Sequence, residues 1–229
     1  MIDFHTHLLH SVDDGSRSLE ESLKLLEMLS SQGVKKVFAT PHFFAYKDTP
    51  ERFFERRERA YSELISAYKP ELINVSLGAE VAYFQGVSRM SALDDMRLFG
   101  TKLLLLEMPA ERWNDYTVRE LKELSCSGDI RLVIAHVERC KDYQPRSVWS
   151  SLIEHGVLMQ TNASYFLNPK TSRRAVKLLK KGRIHLLSSD CHNVTSRPPR
   201  LSMALEVVRK KLGDDFITSM YGFLSEITV

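Results

Sequence analysis

The chain is poor in cysteine, lacks a long apolar run and carries almost no excess charge. Its three cysteines in 229 residues, Cys126, Cys140 and Cys191, form no paired pattern, which excludes a disulfide scaffold and fits a reducing compartment. No stretch reaches the ~20 apolar residues of a membrane helix. The start, MIDFHTHLLH, has no basic segment followed by an apolar run, so neither a signal peptide nor membrane insertion is expected. The net charge is +3, without a stripe of basic residues interleaved with aromatics, which argues against nucleic acid as a partner. Linkers and low-complexity segments are also missing. These absences leave a cytoplasmic chain, 43% apolar, expected to form a single domain over residues 1–229.

Short apolar runs rich in β-branched residues alternate with helical stretches. The expected strands are IDFH (2–5), VKKVFAT (34–40), INVSLGA (73–79), KLLLLE (102–107), RLVIAH (131–136), VLMQTN (157–162) and IHLLSS (184–189). Between them, Ser18-Leu19-Glu20-Glu21 forms a capping box, and Leu19, Leu23, Leu26 and Leu29 then share one apolar face. Thr49-Pro50 opens a second helix, and Asn168-Pro169 opens another that ends near Gly182. The charge run ERFFERRERA in the helix over 50–68 reads as a solvated surface. Strand–helix alternation predicts an α/β fold with a parallel sheet, open or closed into a barrel.

Each expected strand delivers a polar group at its C-terminal end. In order these are His5 and His7, then His42, Glu80, Glu107, His136 followed by Glu138 and Arg139, Asn162, and finally Asp190 and His192. Parallel α/β folds build their sites at that end of the strands. With Asp14, the candidate ligands are His5, His7, Asp14, His42, Glu80, Glu107, His136, Asp190 and His192. Imidazole and carboxylate without thiolate suit zinc, manganese or iron. Nine donors exceed the needs of one ion, and Glu80 or Glu107 could bridge two, so two or three ions are implied. Burying so many ionisable groups without partners would be costly. His10, His155 and His185 stay outside the set: His10 lacks a strand-end position, His155 ends a helix and His185 lies inside a strand.

HTH at the N-terminus, DDG at 13–15, TPH at 40–42, GAE at 78–80, AHVER at 135–139 and SDCHN at 189–193 together resemble the PHP (polymerase and histidinol phosphatase) family. The DDG and the SRPP at 196–199 resemble its bacterial protein-tyrosine phosphatase branch, the CpsB/YwqE type of polysaccharide gene clusters. That resemblance implies a distorted seven-stranded (β/α)7 TIM-like barrel of the PHP fold with three divalent metal ions, manganese foremost, iron or zinc as alternatives. Carried over by motif, His5, His7, Glu80 and Asp190 would hold the first ion, Glu80, Glu107 and His136 the second, and Asp14, His42 and His192 the third. The implied partner is the phosphotyrosine-containing tail of a bacterial tyrosine kinase that regulates capsule or exopolysaccharide synthesis. A homo-oligomer is left open. The alternative within the same metal set is a small-molecule phosphomonoesterase such as a histidinol phosphatase.

Phosphomonoester hydrolysis suits these residues. Clustered divalent ions neutralise the phosphate dianion and lower the pKa of a water to near neutrality, so that a metal-activated hydroxide can attack phosphorus. Arg139 and Arg197 are the expected phosphate clamps, permanently charged and bidentate. Two other segments, Cys140…Arg146 and Cys191…Arg197, have the C-x5-R spacing of thiolate phosphatases. Neither intervening stretch contains glycine, and KDYQP ends in a proline that has no N–H to offer a phosphate, so both are read as coincidence.

Overall fold

The computed structural model describes residues 1–68, 73–126 and 128–228. Its strands are β1 (Ile2–Thr6), β2 (Lys36–Ala39), β3 (His42–Phe43), β4 (Asn74–Leu77), β5 (Glu80–Ala82), β6 (Leu103–Glu107), β7 (Arg131–Ile134), β8 (Leu158–Asn162) and β9 (Leu186–Ser188). The helices are α1 (Leu19–Ser31), α2 (Pro50–Ala67), α3 (Leu93–Met96), α4 (Asp115–Cys126), α5 (Arg146–Glu154), α6 (Ala163–Leu167), α7 (Ser172–Lys180), α8 (Leu201–Leu212) and α9 (Asp214–Ile227).

Every strand pair is parallel, in the orders β1-β2-β4 and β3-β5-β6-β7-β8-β9. Two of the expected strands, 34–40 and 73–79, are each followed by a further short strand. Thr40-Pro41 separates β2 from β3, because proline has no N–H for a ladder bond. Gly78-Ala79 separates β4 from β5 at the matching level, and Gly78 N–H and Glu80 N–H still donate to Ala39 O and Pro41 O. Beyond β9, Asp190 N–H donates to His5 O and His7 N–H to Cys191 O, which draws the last strand against the first. The result is a mixed α/β architecture with a curled parallel sheet.

Alternation along the strands divides the sheet's two faces. On β6, Leu103 and Leu105 belong to one buried cluster and lead up to Glu107, whereas Leu104 and Leu106 pack in a second cluster with Leu121 of α4 and Leu152 of α5. Apolar side chains thus fill the strands' lower parts, and polar ones collect at their C-terminal ends.

Several local expectations shift. Ser18 caps α1 by accepting from Glu21 N–H, but the Glu21 carboxylate turns to Arg17 N–H, so the box is half made. The fully buried face of α1 is Ser22, Leu25, Leu26 and Leu29, leaving Leu19 and Leu23 half-buried. The helix expected at Asn168-Pro169 begins at Ser172, because Asn168 O accepts from both Thr171 and Ser172 N–H and Asn168 Oδ1 from Lys170 N–H, closing a turn first. The charged face of α2 is not wholly solvated: Arg57 is buried and donates to Gly78 O and Asp95 O.

Candidate metal centre

Seven of the nine expected ligands lie at the C-terminal ends of the strands or in the loops that leave them, and His42 and Glu80 open the short strands β3 and β5 that follow β2 and β4. Glu80 is at the middle. Its Oε2 is 3.1 Å from His5 Nε2, 3.2 Å from His7 Nε2 and 3.0 Å from His42 Nδ1, and its Oε1 is 2.7 Å from His136 Nε2. Asp190 Oδ1 approaches His5 Nε2 at 3.5 Å and His7 Nε2 at 3.4 Å. Glu107 reaches His136 Nε2 at 3.3 Å and His42 Nδ1 at 3.7 Å. Asp14, the exposed member, places Oδ1 3.6 Å from His42 Nε2 and 3.5 Å from His192 Nε2.

These donors fall into four overlapping groups: His7, Asp14, His42 and His192; His5, His7 and Asp190; His5, Glu80 and His136; and His42, Glu80 and Glu107. In each, the donor atoms lie within 4.8 Å of one another. Among the described residues, His42 Nδ1, Glu80 Oε2 and His192 Nε2 are buried and have no hydrogen-bond partner. Separations near 3 Å without aligned bonds mean that the lone pairs converge on shared points rather than on each other. Orphaned buried atoms are rare in folded proteins and need a reason. Divalent cations supply one, and nitrogen and oxygen donors without thiolate are the set they take. The residues therefore fit metal ions.

The surrounding residues hold the donors in place. Asp13 Oδ2 is 2.6 Å from His7 Nδ1 and also accepts from His42 N–H. Burial alone would push the His7 imidazole down, but the Asp13 carboxylate, with Asp190 and Glu80, outweighs it and holds the ring well above its ordinary value. Gln160 Oε1 accepts from His136 N–H at 2.6 Å and lies 3.3 Å from His5 Nδ1. Asp3 Oδ1 accepts from Ser189 N–H and His5 N–H; burial pushes this carboxyl up to about 6. Burial and the charge of Glu80 push Glu107 up to about 7. Sequence reasoning missed Asp13, Asp3 and Gln160 as orienting groups. For Asp13 the signal was the doubled Asp of DDG; for the other two it was their two-residue offset from His5 and Asn162.

Two ligand positions carry an unusual backbone. His136 has φ 28° and Asp190 φ 52°, the left-handed side that non-glycine residues avoid. Such conformations cost roughly 1–3 kcal/mol each and gather at functional sites. Arg139 Nη2 and Arg197 Nη2 both donate to Asp190 Oδ2, at 2.8 and 2.9 Å, and Asn162 Nδ2 donates to it at 2.6 Å. The arginine side chains are 43% and 37% exposed, so both remain open at the mouth of the site.

His10 stands apart, 3.1 Å from Glu63, and His185 Nδ1 accepts from Met159 N–H. Cys191 and Cys140 are buried, and burial pushes both thiols up to about 12. At neutral pH neither is a thiolate, so the C-x5-R spacings have no chemistry.

Beside the cluster, a cleft of about 540 Å³ is lined by Asp14, His42, Phe44, Lys47 and Arg56. The Phe44 ring stacks on His42 at 5.0 Å, Tyr46 follows at 5.6 Å, and Lys47 Nζ lies over both rings.

The family described as capsular polysaccharide synthesis, CpsB/CapC, matches residues 1–223. A tyrosine-protein phosphatase CpsB of Streptococcus pneumoniae is 29% identical over 225 residues, covering 93% of this chain and 91% of the relative. The tyrosine-protein phosphatase YwqE of Bacillus subtilis strain 168 is 28% identical over 222 residues, covering 94% and 86%. In three dimensions the chain matches a crystal structure from work on YwqE of B. subtilis and CpsB of S. pneumoniae, described as metal-dependent tyrosine phosphatases. The TM-score is 0.85 at 25% identity, covering 100% of this chain and 94% of that one.

Proposed function

The chain belongs to the CpsB/CapC family of capsular polysaccharide synthesis, and on that premise we propose how its metal centre works. The protein is a metal-dependent protein-tyrosine phosphatase, like the relatives it matches. The observation that carries this reading is the convergence of three imidazole nitrogens within 3.2 Å of a buried, hydrogen-bond-free Glu80 Oε2.

His5, His7, Glu80 and Asp190 would hold one cation, Glu80, Glu107 and His136 a second, and Asp14, His42 and His192 a third, with manganese the first choice. Such cations neutralise a phosphate dianion and acidify a water. The chain's own residues then bind and orient. Arg139 and Arg197 grip the phosphate oxygens at the mouth, and their shared bonds to Asp190 keep both guanidinium groups aimed there. Asp13 fixes the His7 ring through Nδ1. The departing tyrosyl oxygen has a pKa of ~10 and needs little proton donation.

The Phe44–Tyr46 ledge beside His42 supports an aryl over an alkyl phosphate, because an aromatic leaving group can stack there. That favours phosphotyrosine over a compact metabolite such as histidinol phosphate. The phosphotyrosine-bearing tail of a bacterial tyrosine kinase is the proposed partner, in the cytoplasm; among the described residues no helix is long and apolar enough to cross a membrane. The fold reading that goes with this is a single domain forming a distorted seven-stranded (β/α)7 barrel, β2 with β3 and β4 with β5 each counting as one broken strand.

The test is phosphate release by the manganese-loaded protein from a phosphotyrosine peptide, a phosphoserine peptide and histidinol phosphate. The expected result is strong preference for phosphotyrosine. Preferred release from histidinol phosphate would overturn the substrate assignment.

A further inference from the structure

Strand β8 has two faces, and the metal centre uses one of them. Gln160 and Asn162 point to the cluster, where they bond His136 and Asp190. Thr161 lies between them and points the other way, because side chains alternate along a strand. Behind it, between α5 and α7, is a separate cavity of about 680 Å³. That size suits a small molecule, and none of its lining residues belongs to the candidate metal groups.

The wall of this cavity is apolar where Met159, Ile153 and Ile184 line it, and it is interrupted by two hydroxyls. Thr161 is fully buried and Tyr165 is 7% exposed, and among the described residues neither Thr161 Oγ1 nor Tyr165 OH has a hydrogen-bond partner. A buried hydroxyl without a partner is costly. Two of them on one cavity wall mark positions that a polar ligand atom would satisfy.

The rim carries six cationic side chains, Lys141, Arg146, Arg174, Lys177, Lys181 and Arg183, and one acid, Asp142. This excess is local, since the whole chain carries only +3. The Asp142 carboxylate sits between Lys141 Nζ, at 3.0 Å, and Arg174, at 2.5 and 3.2 Å, so an anion already occupies one position on that rim. Among the described residues, Lys177, Lys181 and Arg146 enter no ion pair that would neutralise them in the same way.

We propose that this cleft binds a phosphorylated small molecule of the sugar-phosphate class. The phosphate meets Lys177 and Lys181, which Asp142 does not neutralise, and a hydroxyl-bearing body reaches Thr161 and Tyr165. A ligand seated there presses on the back of the strand whose front orients His136 and Asp190. The site would therefore report a metabolite's level to the metal centre one strand away.

Equilibrium dialysis of sugar-labelled glucose 6-phosphate against the metal-loaded protein tests this, with free glucose as the neutral control. Saturable binding is expected, weakened at least about tenfold in a Lys177→Glu, Lys181→Glu variant. Loss of one hydroxyl in Tyr165→Phe should weaken it about threefold to tenfold. Both variants should still hydrolyse an aryl phosphate, and His42→Ala should keep the dialysis signal. The proposal is overturned by any of three results: no saturable binding in the millimolar range, equal binding of glucose, or binding that disappears with His42→Ala and is unaffected by the rim variant.

Discussion

Gly15 occupies a place where no side chain fits. A Cβ there would lie 2.2 Å from His7 O and 2.6 Å from His7 Cβ, and backbone cannot yield by that much. With Asp13 on His7 Nδ1 and Asp14 facing His42 and His192, each member of DDG has its own physical task. Gly15→Ala should displace His7 and lower phosphotyrosine turnover about 10–100-fold, the usual loss when a ligand's support is disturbed. Steady-state rates at saturating manganese check this; an unchanged rate would refute it. His185 allows a test away from the metals. Burial, with Arg131 and Arg183 nearby, lowers its pKa to about 4, and its Nδ1 accepts from Met159 N–H, which only the unprotonated nitrogen can do. The unfolded chain takes up this proton near pH 6.5, so the stability due to neutral His185 is complete above that pH and is lost as the pH falls toward 4. Between pH 7 and 4.5, His185→Asn should lose less stability than the parent by about 1–2 kcal/mol, discounted for partial exposure. Urea unfolding at the two pH values measures the difference.

At the scale of elements, α2 is tied to the broken strand it crosses. Buried Arg57 reaches from the helix to Gly78 O at 3.1 Å and Asp95 O at 3.2 Å, just before Glu80. Arg57→Met leaves both carbonyls without a donor and should cost about 2–3 kcal/mol in urea unfolding. A loss below about 0.5 kcal/mol, ordinary for a surface change, would contradict the tie. The loop carrying Phe44 and Tyr46 is the other informative element. Tyr46 is 77% exposed yet its ring lies tilted against Phe44, which stacks on His42. Phe44→Ala with Tyr46→Ala should raise KM for a phosphotyrosine peptide about threefold to tenfold and leave glycerol phosphate hydrolysis unchanged. Equal effects on both substrates would remove the ledge's role in aryl preference.

The same elements mark what could be read in advance. Seven apolar runs with polar ends were legible because β-branched periodicity and strand-end donors are local signals. The breaks at Thr40-Pro41 and Gly78-Ala79 were not, although proline and glycine were in view, since only the neighbouring strand shows that both interruptions fall at one level. Arg57 was hidden inside a run of charges, and its burial depends on a contact 21 residues away. The two-residue offsets of Asp3 and Gln160 were in view, but their bonds to Ser189 and His136 were not, because those partners are remote in sequence.

For the whole molecule, the account rests on one contrast. Its only plausible thiols at C-x5-R spacings are buried and protonated, whereas five imidazoles and four carboxylates converge at the strand ends. The measurement that tests this most directly is phosphotyrosine hydrolysis by the parent and by Cys191→Ser, before chelation, after EDTA, and after manganese is restored. The account predicts that both proteins lose activity to EDTA together and regain it together with manganese. Activity that survives full chelation and is lost with Cys191→Ser would contradict it.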